Sequence, residues 1–237
     1  MTEEIFRDDS YAKSCAATVV SVDDDGIELD RTVFYATGGG QPGDTGTLRM
    51  EDDREITITD TRKSRETGRH VHIVAEDAPA LEVGDTVHAE IDWGRRHRLM
   101  RMHTALHLLC SVVEGGVTGG QIGESKSRLD FDLPDTALDK EAITAELNRL
   151  VEKDCPLSST WITDAEMEAN SDLVRTMSVK PPSGAGKVRL MEIEDVDLQP
   201  CGGTHVARTG EIGPLRIGKI ENKGKHNRRI NIHLVED

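Results

Sequence analysis

Two short stretches carry side chains suited to holding a metal ion. His103 and His107 stand four residues apart, a spacing that brings both imidazoles to one side of a helix. Much later comes Cys201-Gly202-Gly203-Thr204-His205. There a thiolate and an imidazole can turn back on one ion, because the glycines between remove side-chain bulk and admit positive φ. Three nitrogens and one sulfur form a set suited to tetrahedral Zn2+. By itself the His-x-x-x-His pair reads equally well as two satisfied histidines at a boundary. Cys110 competes for the thiolate role, since it follows His107 by three on the same helical side. Cys201 is favoured, because Cys110 would leave His205 without a partner in its own loop. Cys15 and Cys155 read as buried free thiols.

The elements that must position these residues follow from periodicity. Before residue 92, short β-branched runs at 17–22, 31–34, 55–59, 70–74 and 86–91 alternate with Asp- and Gly-rich turns, which predicts a small barrel or sandwich. Over 95–114 the apolar residues Leu99, Met102, Leu106, Leu109 and Val113 recur at helical spacing. Gly115-Gly116 ends that helix. Its two histidines sit one position beyond the apolar stripe, so a partly buried site opening onto a cleft is expected. Further helices are predicted at 139–153 and 164–170, and strands at 127–132, 157–162, 188–193, 213–220 and 228–235. Strands and helices without regular βαβ alternation make the fold class α+β. The stretch 180–187 is expected to be a flexible loop; its residue order does not fit a phosphate loop.

Composition limits the function. The chain has 237 residues, with 29 Lys+Arg against 44 Asp+Glu and a net charge of −15. Only 10 of the basic residues are Lys, and an acidic, Lys-poor surface is expected of a halophilic protein. In molar salt the Debye length is roughly 3 Å, so such a surface does not repel itself strongly. No apolar run is long enough to span a membrane, and the start is acidic, so a cytoplasmic protein is expected. Four cysteines do not make a disulfide framework in a chain this long. Basic residues nevertheless gather at 62–69, at Arg95, Arg96, Arg98 and Arg101, and at 216–229. The plain reading of such runs is a solvated face.

The run Arg95 to Leu109 (R-R-H-R-L-M-R-M-H-T-A-L-H-L-L), then S-R-L-D-F-D from Ser127, then C-G-G-T-H-V-A-R-T-G-E-I-G from Cys201, resembles the editing domain of alanyl-tRNA synthetase. The segment F-Y-A-T-G-G-G-Q-P-G-D-T-G from Phe34 resembles the Gly-rich motif that precedes that domain. Nothing resembles the synthetase's aminoacylation domain, so the chain is similar to the free-standing alanyl-tRNA editing proteins of AlaX type, medium-length subgroup. The resemblance implies a small β-barrel-like N-terminal domain over 1–92 and a zinc-containing editing domain of the threonyl/alanyl-tRNA synthetase type over 93–237. It places one zinc on His103, His107, Cys201 and His205. It implies hydrolysis of the ester joining serine or glycine to tRNA(Ala), with the alanine ester spared.

Other roles follow from the same resemblance. Gln121 lies near the position of a pocket glutamine in synthetase editing domains, with different local spacing. Some members carry Thr where this chain has Leu106, so Thr104 or Thr204 is expected to supply a hydroxyl. Gly38, Gly39, Gly40, Gln41 and Asp44 belong to the motif beside the editing pocket, where Asp44 reads first as a turn cap. Arg95, Arg96, Arg98 and Arg101 crowd the start of a helix, where cations oppose the macrodipole and a phosphate would relieve the conflict. Lys219, Arg228 and Arg229, with Lys223 and Lys225, are the remaining expected tRNA contacts. Two alternatives stay open: a non-catalytic tRNA-binding module stapled by zinc, and the related second domain of threonyl-tRNA synthetase. The oligomeric state, monomer or dimer, is not fixed by sequence.

Overall fold

The computed structural model describes residues 2–76, 78–133, 138–170, 174 and 186–235; residues 180–185 of the expected 180–187 loop lie outside them. The chain forms two compact units, residues 1–97 and 98–237. The first holds β1 (Glu3–Glu4), β2 (Ser14–Asp23), β3 (Gly26–Leu29), β4 (Arg31–Thr32), β5 (Gly46–Met50), β6 (Glu55–Lys63), β7 (His70–Val74) and β8 (Thr86–Ile91). Six of these close a barrel in the order β2-β3-β7-β6-β5-β8, while β1 pairs in parallel with β4. Alternation makes the barrel: Ile56 and Ile58 on β6, and Val87, Ala89 and Ile91 on β8, all turn inward. They meet Val19, Leu29, Phe34 and Leu48 in one core. Closure leaves none of these six strands with an open edge.

Helix α1 (Trp93–Val112) starts at the end of the first unit, capped by Asp92, whose carboxylate accepts the Arg95 N–H at 3.0 Å. The rest of α1 belongs to the second unit, with β9 (Gly116–Gln121), β10 (Lys126–Asp132), α2 (Lys140–Glu152), β11 (Leu157–Thr163), α3 (Asp164–Ala169), β12 (Lys187–Ile193), β13 (Asp197–Pro200), β14 (Leu215–Asn222) and β15 (Asn227–Leu234). One sheet runs β14-β15-β10-β9 and another β11-β12-β13. Asp139 caps α2 and Thr163 opens α3 with a capping box.

Two expectations change. The predicted stripe on α1 becomes burial on all sides: Met100, Ala105 and Leu108 are as hidden as Leu99 and Leu109, so this is a core helix rather than an amphipathic one. Strands β1, β3, β5, β9 and β13 were not foreseen. The β9 segment, G-V-T-G-G-Q, has little strand propensity of its own, and its pairing with β10 supplies what the sequence lacks. Among the described residues no helix is long and apolar enough to cross a membrane.

Candidate metal centre

Within the second unit, α1 and the segment after β13 bring four donors together. One ligand atom each from His103, His107, Cys201 and His205 lies within 4.8 Å of the others. Cys201 Sγ is 3.5 Å from His103 Nε2 and 3.2 Å from His205 Nε2. The three rings lie 4.2–5.4 Å apart between centroids. His103 and His107 are only 7% and 5% exposed, so the expected placement at a boundary beside a cleft is corrected: all-round burial of α1 takes both inside.

A second layer aims the rings. His107 Nδ1 donates to Asp197 Oδ2 at 2.9 Å, and Gln199 Nε2 donates to the same oxygen at 2.7 Å. Thr104 Oγ1 shares a hydrogen bond with His205 Nδ1 at 3.3 Å and accepts the Val206 N–H. With both Nδ1 atoms engaged, the Nε2 lone pairs are the ones left to face Cys201. Arg189 fixes the loop, donating to Gly203 O at 2.9 Å and Cys201 O at 3.3 Å, while the Gly203 N–H points at Sγ from 3.4 Å. Asp197, Gln199 and Arg189 escaped the sequence reading. The one available signal was their position on the strands leading into Cys201.

The electrostatics suit a cation. Burial alone would raise the Cys201 thiol, but the neighbouring imidazoles of His103 and His205 hold it well below its ordinary value. Burial, reinforced by His103, pushes His205 down to about 3 and keeps it neutral. Burial opposes charge on His107 too, yet the Asp197 hydrogen bond and Cys201 raise it to about 9. The Cys201 thiolate and the neutral His205 are donors as they stand, a metal ion would displace the extra proton on His107, and the four side chains can hold a metal.

The other expected site residues fall elsewhere. Gln121 is exposed at the end of edge strand β9, where Arg128 reaches its Oε1 at 3.4 Å; the described contacts do not join it to the four donors. Thr104 acts on a ring, and Thr204 is buried. In the barrel unit, Gly38 and Gln41 close a two-residue turn by mutual backbone hydrogen bonds of 3.0 and 2.9 Å. Gly39 and Gly40 take φ of 56° and 83° there, a primed turn that favours glycine at both positions. Gln41 is buried, as is Asp44, whose carboxylate accepts the Tyr35 N–H at 2.6 Å and pairs with Arg96.

Of the expected phosphate contacts, Arg96 and Arg228 are corrected, because both are buried. Arg96 is fully buried, held by Asp44 and by Val33 O at 2.7 Å, and relieves its charge inside the barrel unit. Arg228 is buried against Asn222 Oδ1 and Gly224 O. Arg95 reaches Gly43 O, Arg98 binds Glu124, Arg101 binds Ile212 O, and Arg229 binds Asp130 with two bonds. Lys219 is exposed and pairs with Glu221 at 3.4 Å.

Comparison with known proteins matches this arrangement to a family. Residues 5–95 match the class II (A) tRNA synthetases, and residues 188–231 match the threonyl and alanyl tRNA synthetase second additional domain. The chain is 40% identical over 243 residues to the alanyl-tRNA editing protein AlaX-M of Methanosarcina barkeri, covering 100% of both chains. It is 34% identical to that of Saccharolobus solfataricus, covering 97% of this chain and 98% of the relative. An alanine–tRNA ligase from Sulfurisphaera tokodaii is 36% identical over 93% of this chain, which spans 25% of that enzyme. With end-to-end identity at this level, the chain belongs to the AlaX-M family of alanyl-tRNA editing proteins.

Proposed function

We propose that this protein is a hydrolase that removes a wrongly attached amino acid, serine or glycine, from tRNA(Ala) and spares alanine. The end-to-end likeness to alanyl-tRNA editing proteins carries this reading. In the same reading, residues 1–92 form the domain with the Gly-rich motif and residues 93–237 the editing domain.

The metal is read as zinc, on His103, His107, Cys201 and His205. Cys201 Sγ lies 3.2 and 3.5 Å from His205 Nε2 and His103 Nε2, close enough for these donors to share one ion, and a nitrogen and sulfur set of this kind suits zinc. A zinc ion held by this set would supply Lewis acidity for the ester carbonyl or for a water molecule. The chain's own residues do the rest. Asp197 and Thr104 hold the His107 and His205 rings in orientation, Arg189 clamps the loop carbonyls, and the Gly203 N–H steadies the thiolate. In ester hydrolysis water adds to the carbonyl carbon, the bond to the ribose oxygen breaks, and that oxygen takes a proton.

A second reading is favoured by one observation: four protein donors fill a tetrahedron, as in structural sites. The protein would then bind tRNA without turnover. Deacylation of Ser-, Gly- and Ala-tRNA(Ala) side by side at high salt, with metal content measured, separates the two. Cleavage of the serine or glycine ester with the alanine ester spared is expected. Binding of tRNA with full metal content and no turnover of any ester favours the second reading.

A further inference from the structure

The chain has two Trp, two Tyr and three Phe. Phe6, Phe34, Tyr35 and Phe131 are buried, and Tyr11 and Trp93 are partly so; Trp161 alone is exposed, at 41%. It sits on β11, the edge strand of the β11-β12-β13 sheet.

Register shows what it faces. Trp161 is opposite Arg189 on β12, and the Cys201 N–H, donating to Arg189 O at 3.0 Å, extends the next ladder one residue past β13. Trp161, Arg189 and Cys201 therefore form one row across the sheet. By strand alternation, the same face carries Ser159, Met191 and Gln199 in the next row, then Leu157, Ile193 and Asp197. The opposite face is accounted for by Ile162, Val188, Leu190 and Met167, which pack together. The indole thus stands at the open margin of the face that supplies Asp197, Gln199 and Cys201. Two strand spacings, roughly 10 Å, separate its backbone from that of Cys201.

Charge narrows the ligand. The β11 sequence L-S-S-T-W-I-T contains no charged residue, although 31% of the chain is charged and the net charge is −15. Two of the Arg residues expected to meet phosphate, Arg96 and Arg228, are buried on protein acceptors, and β11 itself offers a phosphate no cation. An aromatic plane among hydroxyls binds an unpaired base by stacking, which needs no phosphate neutralisation.

We propose that Trp161 is the platform on which the unpaired base at the 3′ end of the aminoacylated RNA stacks, positioning its ester over the four-donor site. This rests on the editing reading above. The test uses the full chain with its metal. Uncharged tRNA(Ala), with and without its terminal adenosine, is titrated into wild type and Trp161→Ala while tryptophan fluorescence is followed. Saturable quenching is expected only for wild type with the complete 3′ end; Trp93 is common to both proteins and serves as the internal reference. In deacylation, Trp161→Ala should lower kcat/KM by about 5- to 150-fold, and Trp161→Phe should restore it to within about threefold. Quenching that persists in Trp161→Ala, or that ignores the terminal adenosine, overturns the proposal, as does wild-type deacylation by Trp161→Ala. Quenching by an otherwise inactive wild type would sink the editing reading and leave the stacking platform standing.

Discussion

Each unit buries a group of histidines, and the two groups behave differently. In the barrel, His70 and His72 pack 5.4 Å apart between centroids. His72 spends both nitrogens locally, on Thr32 Oγ1 at 2.9 Å and Ile27 O at 3.0 Å, and Phe34 meets its ring edge-on. His70 turns Nδ1 to Glu4 at 3.1 Å. In the second unit, His103, His107 and His205 crowd as closely, but Nε2 atoms point at one sulfur and the Nδ1 atoms of His107 and His205 are taken by Asp197 and Thr104. Burial and ring proximity are shared. What distinguishes a metal centre is that the outward nitrogens are satisfied while the inward ones converge on a thiolate.

Cys201→Ala should break the comparison most severely. It removes the point of convergence and leaves three imidazoles without an anion, so bound metal should fall to background by elemental analysis. Deacylation should drop by about a thousandfold or more, in line with a loss of several kcal/mol of electrophilic stabilisation. His72→Gln should leave metal content unchanged. Metal loss in His72→Gln with retention in Cys201→Ala would invert the assignment.

A smaller effect is expected at Asp197→Asn. The amide keeps the shape but replaces the carboxylate that orients His107 and raises its basicity. Metal affinity should fall by about 10- to 100-fold, read by competition with a chromogenic chelator, while the barrel unfolds as before. Unchanged affinity would mean that burial alone fixes the ring.

The barrel pair sharpens the contrast through pH. Burial, with repulsion from His70, lowers His72 to about 3, against the Ile27 carbonyl bond that favours the charged ring. The folded value lies below the unfolded 6.5, so this group costs nothing above pH 6.5. Stability should then fall as pH drops from about 6.5 toward 3, because only the unfolded chain takes the proton. Glu4 is raised by burial but brought down to about 2 by His70 and Arg7, which adds a further loss between about 4.5 and 2. Urea midpoints measured across this range should slope less in His72→Gln. Equal slopes would show that His72 does not stay neutral in the fold.

Legibility followed the same divide. The four converging residues were readable because H-x-x-x-H and C-G-G-T-H each fix geometry over a few residues, and the barrel was readable from alternation on strands such as β6 and β8. The second layer was not. Asp197 and Gln199 resemble any strand polar residues until β13 is laid beside α1, and nothing local marks Arg189 as a clamp. Arg96, in the arginine-rich start of α1, misled for a related reason: it finds Asp44, 52 positions earlier in the chain. Charge runs reveal composition, whereas the partner that neutralises them is set by tertiary pairing.

The smallest effect is expected at Cys110, the thiol that competed with Cys201 on spacing. It is buried on α1, 6% exposed, three residues after His107, yet it is absent from the four-donor group. A buried thiol packs as a small hydrophobe. Cys110→Ala should therefore cost on the order of 1 kcal/mol through lost packing, lowering Tm by about 2–4 °C for a chain of this size. Metal content should stay at the wild-type level, and deacylation should be unaffected. If Cys110→Ala instead releases the metal, the convergence on Cys201 is not what holds it, and the contrast between the two histidine groups fails at its centre.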